Sequence, residues 1–284
     1  MSLEDLVSKA KDLPPNPDIL PKLLDKLSDP DSTNWEIAKL INYDQTLTSQ
    51  VLTWSNSGFY GYVEPSASIE EAIQRVGMRE IYKLVGIIMG KRLTEQPVNF
   101  YGLQGGELWE NSLGGAFAME ALATHLGDCD LNVAYTAGLL HGIGKIVIGQ
   151  ACENSYQDVF DCVEAEKIPL IQAEKKIIGY NHAEVGEYLL KNWRFPSVIY
   201  DSIGKQYTPS KAVFSNRLAQ MLNLMHYVIS GIGYNHGKDS LAFTLEPGIK
   251  EALSLSDTKL QMIFIESRTR LEDVKDQLAQ NQTM

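Results

Sequence analysis

Apolar residues in this chain recur in steps of three and four almost from end to end, and no segment alternates with period two. That feature leaves little room for a β-sheet, because a half-buried strand hides every second residue whereas a helix hides a stripe of period 3.6. The run Ile19, Leu20, Leu23, Leu24 and Leu27 is one such stripe, closed by Asp29-Pro30. Thr33 with Glu36, Ser68 with Glu71 and Asn181 with Glu184 have the spacing of a helix-opening capping box. Asp44 opens a helix carrying Leu47, Val51 and Trp54, while Gly77 and Gly127 stand where helices stop. The expected fold class is all-α.

Residues 94–106 break this pattern with Pro97, Gly102, Gly105 and Gly106, which predicts an N-terminal helical lobe over 1–105 and a helical bundle with a C-terminal helix over 106–284. In the second part, 108–126 and 131–148 are expected as two long, very apolar core helices. Shorter ones are expected near 156–166, 171–178, 183–193, 197–205 and 213–229, then a Gly-rich loop at 231–237 and a marginal, exposed helix over 260–279. Trp35, Trp54, Trp109 and Trp193 all fall beside apolar residues and are expected to pack in cores or lobe interfaces.

With Lys+Arg 25 against Asp+Glu 36 the net charge is −11, so phosphate-rich partners are repelled unless a basic patch is present, and none is visible. Nucleic acid is therefore not an expected partner. Cys129, Cys152 and Cys162 match neither a zinc ribbon nor a disulfide framework and are expected as reduced thiols. The first eleven residues lack the apolar core of a secretory leader, and the apolar stretch 134–149 falls short of the roughly 20 residues of a membrane span. A cytoplasmic protein without membrane contact is the expectation.

The densest cluster of chemistry is Gly138-Leu139-Leu140-His141-Gly142-Ile143-Gly144-Lys145, where Gly138, His141 and Lys145 share one helix face. Small residues there would let a neighbouring helix come close, and His141 would then be a satisfied interior histidine. Gly144-Lys145 does not make a P-loop, because Leu139 and Ile146 stand where Gly and Ser or Thr are needed. His125 lies at a helix end, favourable for a cation, and His236 is expected to be solvated in its loop.

The string 138–145 resembles the Gly-Leu-Leu-His-Asp-Ile-Gly-Lys core of HD-superfamily metal phosphohydrolases. Leu13-Pro14-Pro15, Asp44-Gln45-Thr46-Leu47-Thr48, the segment 54–61 and Ser68-Ile69-Glu70-Glu71-Ala72-Ile73 are similar to the HDOD domain, a degenerate relative of those enzymes, over about residues 13–234. The resemblance implies an HD-like helical bundle preceded by an N-terminal helical lobe. It also implies bacterial signal transduction with a protein partner. In catalytic relatives it implies a metal held by an early His, a His-Asp pair and a later Asp.

By that resemblance Asn111 stands at the first His, His141 keeps its place in the pair, Gly142 replaces the Asp and His226 replaces the later Asp. His182 matches an additional His of two-metal relatives, and Gln206-Tyr207 falls where those carry a His pair. Asn111, His141, Lys145, His182 and His226 are thus expected to line a vestigial pocket with no catalytic residue and no metal ligand set. Gly142 supplies no oxygen for a hard cation. Zn²⁺ is the metal that three converging imidazoles would suit, and otherwise no cofactor is expected. The function expected is a non-catalytic signalling or scaffold module; the alternative is a metal-dependent phosphohydrolase acting on a nucleotide or cyclic nucleotide.

Overall fold

The computed structural model describes residues 2–10, 17–61, 64–212, 216–234 and 245–281, and among these every regular element is a helix, with one isolated bridge between Val98 and Leu103. The all-α expectation holds. Packing groups the chain into two units, residues 1–15 with 93–271 and residues 16–92 with 272–284. These bounds differ from a break at residue 105. Helix α1 (Leu3–Lys9) buries Leu6 completely and packs on later helices of the bundle, so the N-terminus joins the second half of the chain.

The smaller unit contains α2 (Ile19–Ser28), α3 (Asn34–Asn42), α4 (Gln45–Ser55), α5 (Ile69–Val76) and most of α6 (Met78–Thr94). Its helices begin where the sequence places them. Thr33 and Glu36 form a complete capping box, and Asp44 accepts from the Leu47 N–H at 2.9 Å. At α5 the box is half made, because Ser68 caps Glu71 N–H while the Glu71 carboxylate turns to the Ala67 N–H at 2.8 Å. Leu23, Ile37, Ile41, Leu47, Val51, Ile69 and Ile73 form the apolar interior. Trp54 packs there, but Trp35 is 61% exposed, with the Lys39 ammonium 5.0 Å from its ring centre. The core expectation for Trp35 fails because Ile37, Ala38 and Ile41 carry the buried stripe of α3, which turns residue 35 outward.

The larger unit holds α7 (Glu107–Leu126), α8 (Leu131–Leu140), α9 (Gly144–Ala151), α10 (Tyr156–Glu166), α11 (Leu170–Ile177), α12 (His182–Asn192), α13 (Ser197–Gly204), α14 (Asn216–Gly231), α15 (Ile249–Ala252) and the first part of α16 (Asp257–Asn281). The expected single helix 131–148 is divided. Around His141-Gly142-Ile143 the backbone closes three-residue turns, Ile143 N–H to Leu140 C=O and Lys145 N–H to Gly142 C=O, and the helix restarts at Gly144. By length and composition Leu131–Ala151 could cross a membrane, contrary to the sequence estimate, yet 83% of its most apolar window is buried inside the protein. The tail helix is less exposed than expected. Leu271 is fully buried and lies against Gly114 of α7, and Val274 is 9% exposed. Cys152 and Cys162 are buried, Cys129 is half-buried, and all three are free. His236 lies outside the described residues.

Candidate functional site

Two close helix approaches build the interior of the larger unit. A side chain on Gly115 would meet the Gly138 carbonyl at 2.7 Å and the His141 ring at 3.0 Å, so α7 and α8 cross with backbone against backbone. A side chain on Gly144 would overlap the His182 carbonyl and the Gly186 N–H, which brings α9 onto the first turn of α12. The three-residue turns at 141–143 thus lie beside the first turn of α12 through Gly144, and His141 lies beside α14 through His226. Of the small residues in the string 138–145, Gly138 and Gly144 admit a neighbouring backbone, whereas Gly142 meets only the Leu108 and Lys145 side chains.

His141 donates from Nδ1 to the Gly138 carbonyl at 2.7 Å, an assignment that leaves Nε2 as a lone-pair acceptor. Its ring meets that of His226 edge-on, centroids 5.2 Å apart. His226 Nε2 bonds the Gln206 side-chain oxygen at 2.8 Å, while the Gln206 amide nitrogen donates to the His141 carbonyl at 3.0 Å. Tyr207 stacks on His226 with centroids 4.9 Å apart and 16° between planes. The Tyr207 hydroxyl reaches His182 Nε2 at 2.9 Å. His182 Nδ1 faces Glu174, whose two oxygens lie at 2.9 and 3.1 Å, and the Glu174 carboxylate also accepts from the His182 N–H and from the Tyr101 hydroxyl at 2.7 Å. Lys145, 2% exposed, holds its ammonium 5.9 Å from the Tyr101 ring centre. Three of the five predicted residues, His141, His182 and His226, are therefore linked through Gln206 and Tyr207, and the buried Lys145 lies beside Tyr101.

Asn111 is buried on α7, one turn before Gly115, and its amide donates to the Tyr234 carbonyl at 2.9 Å. Asn111 Oδ1 and His141 Nε2 are buried acceptors with no hydrogen-bond partner among the described residues. Burial first, and then the Lys145 charge, hold His141 down at about 3. Burial and the charges of His141, Lys145 and His182 likewise hold His226 well below the ordinary imidazole value. Both rings are neutral at pH 7.

Sequence reasoning missed Glu174, the fully buried carboxylate to which the network is anchored. A signal was present: on α11 the buried stripe is Leu170, Ala173 and Glu174, so a charged residue occupies an apolar face eight positions before His182. Tyr101 was also missed; nothing local marks its hydroxyl.

A hard divalent cation does not suit the groups at the matched positions. Gly142 has no side chain to offer a ligand, and a Cβ there would press on Leu108 Cδ1 at 3.1 Å. Asn111 and His226 are neutral, Gln206 occupies His226 Nε2, and Lys145 already brings a positive charge into the interior. Among the described residues no group of three His, Cys, Asp or Glu side chains is arranged to hold a metal ion.

Residues 13–209, well over half of the chain, match the family model of the HDOD domain. The chain belongs to the HDOD family. A Treponema pallidum (strain Nichols) protein is 25% identical over 199 residues, covering 70% of this HDOD chain and 38% of its own length, so the chain spans about two fifths of that relative. Among solved structures, a Marinobacter aquaeolei VT8 protein assigned by name to signal transduction superposes with TM-score 0.76 at 22% identity, over 98% of this chain and 60% of its own. An HDOD domain protein of Geobacter sulfurreducens gives 0.62 at 24% identity, over 98% and 96%. A Shewanella amazonensis SB2B protein assigned by name to the phosphohydrolases gives 0.64 at 25% identity, over 94% and 97%. These likenesses establish the HD-like helical fold of this HDOD protein.

Proposed function

We propose that this chain is a non-catalytic HDOD module of bacterial signal transduction, a cytoplasmic scaffold that works by binding a protein partner. The observation carrying this reading is the state of the matched metal positions. One of the four positions is retained, as His141; the Asp of the pair is Gly142, which offers no side chain, and Lys145 is a buried cation of the same helical segment. A phosphohydrolase needs a metal with open positions for water and phosphate, held by anionic ligands. Here the imidazoles at 141, 182 and 226 serve as hydrogen-bonding groups in the interior instead. The signalling assignment of the Marinobacter relative supports the pathway. The Shewanella relative keeps a second reading in view, hydrolysis of a nucleotide or cyclic nucleotide.

Metal titration and turnover of bis(p-nitrophenyl) phosphate, on wild type, His141→Ala and Gly142→Asp, separate the two. The scaffold reading expects wild type and His141→Ala alike to bind no stoichiometric Mg²⁺ or Mn²⁺ and to turn nothing over, with Zn²⁺ held weakly at most. Wild-type turnover that His141→Ala abolishes overturns it.

A further inference from the structure

Tyr207, His182 and Glu174 form a chain of phenol, imidazole and carboxylate in the order used to activate a nucleophile: the attacking oxygen against a base, and the base held by a third group. We propose that Tyr207 is a nucleophilic phenol that accepts an acyl group from a small activated acyl donor, with His182 as its general base and Glu174 as the positioning residue for His182. The proposal goes beyond the scaffold reading and requires no metal.

The bonding pattern fixes the roles. A carboxylate only accepts, so His182 Nδ1 carries the proton toward Glu174, and Nε2 is left as the lone pair aimed at Tyr207 Oη, 2.9 Å away. Glu174 is itself fixed by Tyr101 at 2.7 Å and by the His182 N–H at 2.9 Å, and it and His182 are 0% and 1% exposed. A carboxylate bonded in so little water orients the ring firmly and favours the imidazolium that forms when His182 takes a proton. The Tyr207 ring is held by its stack on His226 and its edge contact with His182 at 5.3 Å, yet the residue is only half-buried, so a small electrophile can reach it. In the step, Oη attacks the acyl carbon while the phenolic proton passes to His182 Nε2. The tetrahedral intermediate collapses as the bond from carbon to leaving group breaks. The leaving group departs with the proton from Nε2, leaving an O-acyl tyrosine and a regenerated base.

N-acetylimidazole is the probe, applied to the full chain, with the acetylation rate of each tyrosine followed by peptide mass spectrometry. Tyr43, 77% exposed, is the internal reference. Accessibility alone would make Tyr43 react first; the proposal expects Tyr207 to react about 10-fold faster or more, since general-base assistance of about 100-fold or more outweighs its lower exposure. His182→Gln is expected to lower the ratio of Tyr207 to Tyr43 at least about 10-fold at unchanged helical circular dichroism. Glu174→Asp, which keeps the negative charge facing Nδ1, is expected to retain more of the ratio than Glu174→Gln, whose amide is neutral. Faster acetylation of Tyr43 than of Tyr207 in wild type overturns the proposal with no variant needed. So does a folded His182→Gln chain with the wild-type ratio. Phosphoester turnover would overturn the scaffold reading and leave this ratio untouched, so the two fail separately.

Discussion

The interior of the smaller unit, residues 17–92, is mostly aliphatic, with Trp54 and Tyr82 added: Leu23, Ile37, Ile41, Leu47, Val51, Ile69 and Ile73 are nearly or wholly hidden, and Ser55, Ser66 and Lys83 are its buried polar side chains among the described residues. Lys83 is paired with Glu80 at 2.8 Å. The bundle of 93–271 also hides Asn111, Glu120, His141, Lys145, Glu174, His182, Gln206, Asn223 and His226. Both regions are helical and both begin their helices with side-chain caps, so local rules do not separate them. The difference is in what breaks them. An aliphatic core tolerates change in proportion to the volume lost, whereas a hydrogen-bonded interior fails when one member is removed, because its partners stay buried and unpaired.

The largest expected effect follows from that contrast. Glu174→Ala strips the acceptor from the His182 ring, the His182 N–H and the Tyr101 hydroxyl together. Breaking such a buried set costs about 3–5 kcal/mol, a large share of the about 5–15 kcal/mol that holds a domain folded. Chemical denaturation should show it. A loss under about 1 kcal/mol would mean that water reaches these groups and that the two interiors do not differ in kind.

Acid should separate the regions next. The histidines at 141 and 226 are neutral in the folded chain, 141 at about 3 and 226 well below its ordinary value, while an unfolded imidazole titrates near 6.5. Below that pH the unfolded chain takes up protons that the folded chain refuses. Stability is therefore complete above about pH 6.5 and falls as the pH drops toward the folded values, by up to about 1.4 kcal/mol per pH unit for each ring. Between pH 6.5 and 5 most carboxylates stay ionised, so melting temperature in this window reports the imidazoles. His226→Gln should halve the slope; an unchanged slope in the variant would place the acid sensitivity elsewhere.

The smaller unit was largely legible in the sequence because its signals are local. Thr33 with Glu36, Asp44 before Leu47 and the Leu20-Leu23-Leu24 stripe each act within one or two turns, and each is found as expected. In the bundle the histidines were found by resemblance, but that they share one network depends on Gly115 against Gly138 and Gly144 against His182, contacts between residues distant in sequence. The bend at 141–143 was missed since an apolar run gives no sign of a three-residue turn inside it. Glu174 was passed over because its stripe was not followed across a charge.

A smaller effect tests the local rules where they worked. Thr33→Ala removes the side-chain cap of α3, leaves the Glu36 N–H only the residue 33 carbonyl and breaks half of the box, for about 1 kcal/mol. Thr33→Asn should recover most of it. Loss of the folded state from this change would show that α3 relies on its cap more than on Ile37 and Ile41.

Trp35→Ala has the smallest expected effect, and it tests whether exposure, rather than residue type, sets the cost. Trp54 on α4 is 7% exposed, and its truncation to Ala should cost about 3–5 kcal/mol. Trp35 is 61% exposed, with the Lys39 ammonium 5.0 Å from its ring centre and one turn along α3. An exposed cation–π pair is worth about 0.5–1 kcal/mol, and the alanine that replaces the indole is the better helix former, which offsets part of that. The net change should stay within about 0.5 kcal/mol and shrink in high salt, where surface charges are screened. A loss above about 2 kcal/mol in the isolated chain would mean the indole is covered in solution, by a second copy or by a rearranged lobe. Repeating the melt over a range of concentrations tells these apart, because only self-association makes the midpoint rise with concentration.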